Sequence, residues 1–210
     1  MPEPGGRRTI ARMGHETIRG GLPILHFADA AALERWLEAQ AAGEAPDQKG
    51  IWLKIAKKDR GVSSVSVSEA IDVGLCFGWI DGLINRLDED FYLVRYTPRR
   101  PRSKWSQINV ERAEALLAAG KVRPGGLRQI EAAKADGRWE AAYPPASRME
   151  VPADLAAALE ESAEAKAAFE ALKASERYSV LYRLHQVHGA EKRKVATAKL
   201  VCQLAVTSAH

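Results

Sequence analysis

The spacing of hydrophobic residues changes near residue 100. Before it, short apolar segments of strand length alternate with two amphipathic segments, whereas after it apolar residues recur at the three- and four-residue spacing typical of helices. The sequence therefore predicts an α+β fold, in which a small antiparallel β-sheet packs against helices and a helical C-terminal subdomain follows.

Four segments are short and apolar enough to form strands, namely 22–27, 51–58, 79–87 and 91–97. The last two flank the polar sequence Asp88-Glu89-Asp90, whose length and chemistry favour an antiparallel hairpin. Pro98 and Pro101 follow, and neither can donate a backbone hydrogen bond to a sheet. We therefore expect the sheet to end there.

Helices are predicted wherever a capping residue precedes a helical hydrophobic period. Asp29 is expected to cap a helix that contains Leu33, Trp36 and Leu37, and Ser66 or Ser68 is expected to start the next one. The remaining helices are predicted at 106–119, 124–135, 153–159, 163–172, 175–187 and 190–204.

Proline and glycine positions suggest how the chain is divided. Residues 1–21 combine prolines, glycines and arginines without a hydrophobic period, so we interpret them as a flexible leader. Residues 22–143 are predicted to form the α+β core domain. Residues 144–152 contain three prolines and are interpreted as a linker to the helical residues 153–210.

Composition excludes several classes of protein. The 210 residues carry a net charge of +4, and charged residues interrupt every apolar run before the length of a membrane span. Cys76 and Cys202 are far apart in apolar segments, which favours buried free thiols over a disulfide scaffold. With no secretory signal pattern, we expect a cytoplasmic protein without a transmembrane segment.

Trp79 and Asp81 lie where a predicted helix gives way to a predicted strand, a position that often carries functional side chains. Asp81 is a candidate to orient a guanidinium for substrate binding. The alternative is structural, with Asp81 capping a turn and Trp79 filling the core.

Arg99 and Arg100 stand between two prolines, which restrict the backbone and present both guanidinium groups at low entropic cost. With Arg95 and Trp105 they form a candidate anion site that combines charge with aromatic stacking. Alternatively, these arginines pair with acids such as Asp81, Asp88 or Asp90. The basic window 95–104 also makes nucleic-acid binding an alternative. We rank it lower, because one short basic segment is a small contact surface for a nucleic acid.

No cofactor or metal is expected. His185 and His188 have a chelating i, i+3 spacing but lack a third ligand of matching spacing. The glycine pairs, including Gly125-Gly126, lack the context of a phosphate-binding loop. Cys76 has no histidine nearby in sequence, so we interpret it as an inert thiol.

Several sequence strings together point to a known family. They are Gly50-Ile-Trp-Leu-Lys-Ile-Ala-Lys-Lys58, Leu75-Cys-Phe-Gly-Trp-Ile-Asp-Gly82, Tyr96-Thr-Pro-Arg-Arg-Pro101, Ser103-Lys-Trp-Ser-Gln-Ile-Asn109, Gly125-Gly-Leu127 and Ala133-Lys-Ala-Asp-Gly-Arg-Trp-Glu140. With these strings the chain resembles the YdeI/OmpD-associated, or bacteriocin-protection, family from about Leu22 onward.

The resemblance implies a role in protection against antimicrobial peptides or bacteriocins and carries over no catalytic residue. The chain departs from the family at 190–194, where Ala-Glu-Lys-Arg-Lys replaces the usual Pro-Glu-Thr-Arg. Cations at a helix N-terminus oppose the helix dipole, so an anionic group is expected to compensate them. A partner, or Glu191 together with solvent, can fill that role.

We interpret the chain as a stress-protection protein rather than an enzyme. Its predicted groove is lined by Trp79, Asp81, Arg95, Arg99, Arg100 and Trp105 and is expected to bind an anionic small molecule or an acidic protein partner. The alternative is an enzyme acting on a small acidic substrate, with Asp81 as general acid or base.

Overall fold

A computed structural model describes residues 18–44 and 49–207. Contacts within the chain group these residues into two compact units. The first contains the described residues up to Ser103 together with Arg112–Ala135, and the second contains Lys104–Glu111 and the described residues from Asp136 onward. Most of the predicted leader lies outside the described residues, but residues 18–21 form a short strand and a turn.

The first unit is built on a mixed sheet with the strand order β1-β2-β3-β5-β4. Its strands are β1 (Ile18–Arg19), β2 (Leu22–His26), β3 (Ile51–Ala56), β4 (Trp79–Arg86) and β5 (Phe91–Pro98). The predicted hairpin of β4 and β5 is confirmed. The sheet is not purely antiparallel as predicted, because β2 pairs with β3 in parallel through the crossover helix between them. The α+β fold class itself is confirmed.

Two helices of the first unit begin at recognisable capping residues. In α1 (Ala30–Ala42), the Asp29 carboxylate accepts the backbone N–H of Ala32 at 2.7 Å. In α2 (Val67–Phe77), Ser66 and Glu69 form a capping box, which identifies Ser66 as the residue that starts the helix. Helix α3 (Gln107–Ala118) contains residues of both units, and α4 (Pro124–Ala135) belongs to the first.

The core of the first unit lies on the face of the sheet that α1 and α2 cover. Ile51 pairs with Tyr96 and Leu53 with Val94 in the β3–β5 register, so these four side chains point to the same face. All four are almost completely buried, and Leu33 and Leu37 of α1 pack against them. The predicted spacing of apolar residues in α1 is thereby explained.

The second unit is helical over most of its described length. Its four helices are α5 (Ala153–Glu160), α6 (Ala163–Glu170), α7 (Ala174–His185) and α8 (Ala190–Thr207). Leu155, Phe169, Leu181 and Leu184 are at the centre of their common core. Residues 144–152 include a 3-10 helix, Ala146–Arg148, after which Met149 and Val151 pack against that core.

Arg193 at the start of α8 has the anionic partner that its position requires. Its Nε and Nη2 atoms donate to the two carboxylate oxygens of Asp154, at 2.7 and 3.1 Å, and its Nη1 atom donates to the carbonyl oxygen of Leu184 at 2.7 Å. Asp154 at the beginning of α5 is therefore an anionic group that compensates Arg193.

The two cysteines differ in environment. Cys76 is buried as predicted, but Cys202 is exposed because it lies on the outer face of α8. Among the described helices, none combines the length and the apolar character that a bilayer span requires.

Candidate ligand-binding site

Trp79 is a core residue at the first position of β4. Its side chain is 8% exposed, and its ring lies 5.3 Å from the ring of Tyr96 and 5.5 Å from that of Trp36, measured between centroids. The structural interpretation of this residue is therefore correct. Its position at the edge of the core also leaves it in the wall of a cavity, described below.

Asp81 lies within β4, opposite Tyr96 of β5, so it does not cap a turn. The register shifts between Asp81 and Ile84, which marks a bulge directly after this carboxylate. Burial, as the larger cause, and the charge of Asp81 both raise the pKa of the Tyr96 hydroxyl. This hydroxyl donates to the carbonyl oxygen of Ala70 at 2.9 Å.

Arg95 lies on the other face of the sheet. It is exposed, it precedes Tyr96 on β5, and it pairs with Trp52 of β3. Since neighbouring residues on a strand point to opposite faces, Arg95 is separated by the sheet from Trp79 and Asp81. The structure therefore does not bring Arg95 together with these two predicted site residues.

Arg99 and Arg100 do not both expose their guanidinium groups. Arg99 is only 5% exposed and its backbone N–H donates to the carbonyl oxygen of Gly78 at 2.8 Å. Arg100 is exposed and begins a turn in which its backbone N–H donates to Ser103 Oγ at 2.9 Å. Only Arg100 offers its guanidinium to solvent.

Trp105 belongs to the second unit, where it is buried against Trp139 with 4.8 Å between ring centroids. The acids proposed as arginine partners are also engaged elsewhere. Asp90 pairs with Arg60 at 3.7 Å, and Asp88 accepts the backbone N–H of Phe91 at 2.7 Å.

A cavity of about 310 Å³ lies in the first unit, beside Trp79. Its apolar wall includes Leu37, Phe77, Trp79 and Pro98, while Arg123 and Arg128 are the cations that line it. The cavity shares only Trp79 with the predicted groove; Asp81 does not line it.

Close packing between the end of α2 and the start of α4 shapes one side of this cavity. Gly78 ends α2 with a φ of 81°, and the backbone N–H of Arg123 donates to the carbonyl oxygen of Cys76 at 2.9 Å. A Cβ atom on Gly125 would lie 2.6 Å from the carbonyl oxygen of Phe77, and one on Gly126 would collide with that of Cys76. Only glycine permits this approach.

The two arginines of the cavity differ in their pairing. Arg123 contacts Glu34 and Glu38, whose carboxylates lie 3.2 and 3.3 Å from its Nη2 atom and four residues apart on α1. Arg128 is exposed and takes part in no ion pair of the described residues. Arg123 is thus fixed by protein groups, whereas Arg128 is available to an anion.

Sequence reasoning missed Arg123, Arg128 and the role of Gly125-Gly126. The available signal was the sequence Arg123-Pro124-Gly-Gly at a predicted helix start, which lacks the consensus of a phosphate-binding loop. Its function is close contact between two helix ends, a packing role that motif matching does not reveal.

Other candidate chemistry is limited. Burial, reinforced by the charge of Glu34, raises the pKa of Cys76 to about 11, as expected of an inert thiol. Burial likewise lowers the pKa of His185. The described part of the chain contains no group of three His, Cys, Asp or Glu side chains that could hold a metal ion.

Comparisons with known proteins match two separate parts of the chain to two different family models. Residues 25–129, half of its length, match Domain of unknown function (DUF8412). Residues 148–205 match Bacteriocin-protection, YdeI or OmpD-Associated, which confirms the predicted resemblance over these residues. No curated protein and no solved structure matches the chain. The chain therefore belongs to the family defined by Domain of unknown function (DUF8412), and its residues 148–205 are a partial match to the YdeI/OmpD-associated family.

Proposed function

We propose that the protein has a protection-type function and that its first unit binds a small anionic molecule in the cavity beside Trp79. The partial match to the bacteriocin-protection family supports the general role. The composition of the cavity carries the more specific proposal, because an apolar wall lies next to two arginines.

The size of the cavity favours a small molecule over an acidic protein. Its volume of about 310 Å³ lies at the lower end of the range of roughly 300–1,000 Å³ that is typical of small-molecule sites. The ligand would place its apolar part against Phe77, Trp79 and Pro98. Its carboxylate or phosphate would then bind Arg128.

Pairing with Glu34 and Glu38 gives Arg123 a different role. The two acids restrict its side chain and offset much of its charge, so we assign it to orienting the ligand rather than supplying the main charge contact. Arg128 has no such partner among the described residues. Removing Arg128 is therefore the sharper test of the site.

The experiment is a thermal-shift and calorimetric screen of the full-length protein against small carboxylates, nucleotides and phosphorylated metabolites. A ligand at about 100 times its Kd adds about 2.7 kcal/mol, which corresponds to a rise in Tm of roughly 5–10 °C for a chain of this size. We expect Arg128→Ser to weaken binding at least about ten-fold, since a charge-assisted hydrogen bond contributes about 1.5–3 kcal/mol.

Two further variants locate the site. Ala41 lines the cavity and is exposed, so Ala41→Phe is expected to fill the cavity and prevent binding without disturbing the core. Arg35→Ser, which removes an exposed arginine of α1 that does not line the cavity, is expected to bind as the wild type does.

Arg100→Ser separates this site from the groove predicted from the sequence. Loss of binding in Arg100→Ser with full binding in Arg128→Ser would refute the cavity and return the anion site to the segment between the two prolines. Absence of binding by every anion in the screen would refute both.

We also propose a cytoplasmic location. Cys76 and Cys202 are both free, and Cys202 is exposed. An exposed free thiol is typical of proteins in a reducing compartment.

A further inference from the structure

The second unit has an apolar groove between α7 and α8, with a volume of about 260 Å³. Its floor is formed by Val180, Leu184 and Val187 on one side and by Ala196 and Leu200 on the other. Val180 and Leu184 of α7 are four residues apart, as are Ala196 and Leu200 of α8, so each pair lies on one face of its helix, and Val187 follows the end of α7. On α8 the lining residues extend from Ala196 to Gln203, which is two helical turns or a length of roughly 10 Å.

Arg183 and Lys199 give this apolar groove a positive margin. Both residues line it and both are exposed. Neither takes part in an ion pair of the described residues, and no acidic side chain lines the groove. An occupant that matches this surface has an apolar body and a negative charge at one end.

We propose that the groove binds a single-chain carboxylate, with an unbranched alkyl tail along the floor and the carboxylate at Arg183 and Lys199. The inference is independent of the cavity in the first unit. The small extent of the groove favours such a ligand over a protein. Eight residues line it, whereas stable protein interfaces use roughly 20–30 residues on each side.

The first measurement is calorimetric titration of the full-length protein with hexanoate, octanoate, decanoate and dodecanoate, each below its micelle concentration. We expect one site, with affinity rising about four-fold for each added methylene until the tail fills the groove. Decanol, which has the tail of decanoate without its charge, is expected to bind more weakly. Equal binding of decanol and decanoate would overturn the role of the cations.

Variants of exposed cations test the head-group contact without disturbing the core. Arg183→Ala and Lys199→Ala are each expected to weaken decanoate binding about two- to five-fold, as for an ion pair open to solvent. Lys192→Ala removes another exposed lysine of α8 that does not line the groove and is expected to leave binding unchanged. An equal effect of all three variants would show non-specific attraction and overturn the proposal.

Amide chemical-shift mapping by NMR locates the bound tail. We expect decanoate to shift signals of Val180, Leu184 and Leu200. A titration with an acidic amphipathic Leu/Glu peptide provides the contrasting arm. If the peptide shifts these signals and no carboxylate does, the groove is a docking site for a helix and the proposal is wrong. Shifts confined to residues outside the groove would overturn it as well.

Discussion

Replacing Asp154 by Asn removes the charge that Arg193 pairs with, while keeping the shape of the side chain. The wild-type carboxylate accepts both guanidinium hydrogen bonds described above and also the backbone N–H of Leu155 at 2.9 Å. The contacts join the beginning of α5 to the beginning of α8, and Arg193 additionally reaches the end of α7 at Leu184. One pair thus connects three helices of the second unit.

The size of the expected loss in unfolding free energy follows from the exposure of the two side chains. A hydrogen bond to a charged group contributes about 1.5–3 kcal/mol, but the side chains of Arg193 and Asp154 are 22% and 42% exposed, so solvent screens the interaction. We therefore expect Asp154→Asn to lower the free energy of unfolding by about 1–2 kcal/mol at pH 7. That loss corresponds to a decrease in Tm of roughly 2–8 °C.

The effect should depend on pH in one direction. Hydrogen bonds from Arg193 lower the pKa of Asp154 in the folded state. Its stabilisation is therefore complete above the unfolded pKa of about 3.9 and is lost as the pH falls through the folded pKa. The difference in unfolding free energy between wild type and Asp154→Asn should be constant from neutral pH to about pH 5 and decrease below about pH 4.

Urea unfolding followed by circular dichroism at a series of pH values measures this difference. Glu150→Gln is the matched control, because Glu150 is exposed and forms no ion pair among the described residues. We expect it to change stability by less than about 0.5 kcal/mol. A difference for Asp154→Asn that persists unchanged at acid pH would refute the charge-pair explanation.

Two further predictions concern the end of α2. Gly126→Ala places a methyl group against the carbonyl oxygen of Cys76 and is expected to cost about 1–3 kcal/mol in urea unfolding, whereas Gly82→Ala, with no atom closer than 3.6 Å to the new Cβ, should cost less. Equal losses would contradict the close-packing argument. In the native protein a thiol reagent should modify Cys202 rapidly and Cys76 only after unfolding, because burial raises the pKa of Cys76 to about 11. Rapid modification of native Cys202→Ser protein, whose one remaining cysteine is Cys76, would contradict this expectation.

Local signals made much of the fold predictable. Ser66 and Glu69 form a capping box that the sequence contains, and Asp88-Glu89-Asp90 connects two strands as its composition indicates. The parallel pairing of β2 with β3 was not predictable in this way, because it depends on the path of α1 across the sheet rather than on any short motif.

The candidate site was harder to predict for the same reason. Arg99 and Arg100 are adjacent in sequence, yet one is buried and the other exposed, since tertiary packing decides which side chain the core encloses. Arg123 and Trp79 line one cavity although 43 intervening residues separate them. The partner of Arg193, Asp154, is likewise remote in sequence.

The contact between α2 and α4 divides the candidate site into a fixed and a variable part. Main-chain atoms of Phe77 and Gly125 set how closely the two helix ends approach, and that approach positions one wall of the cavity. The charge next to that wall comes from side chains, above all the exposed Arg128. Under the proposed function, substitutions at Arg128 are expected to change which anion is bound while the main-chain contact between α2 and α4 remains, so ligand preference and fold stability are expected to vary independently.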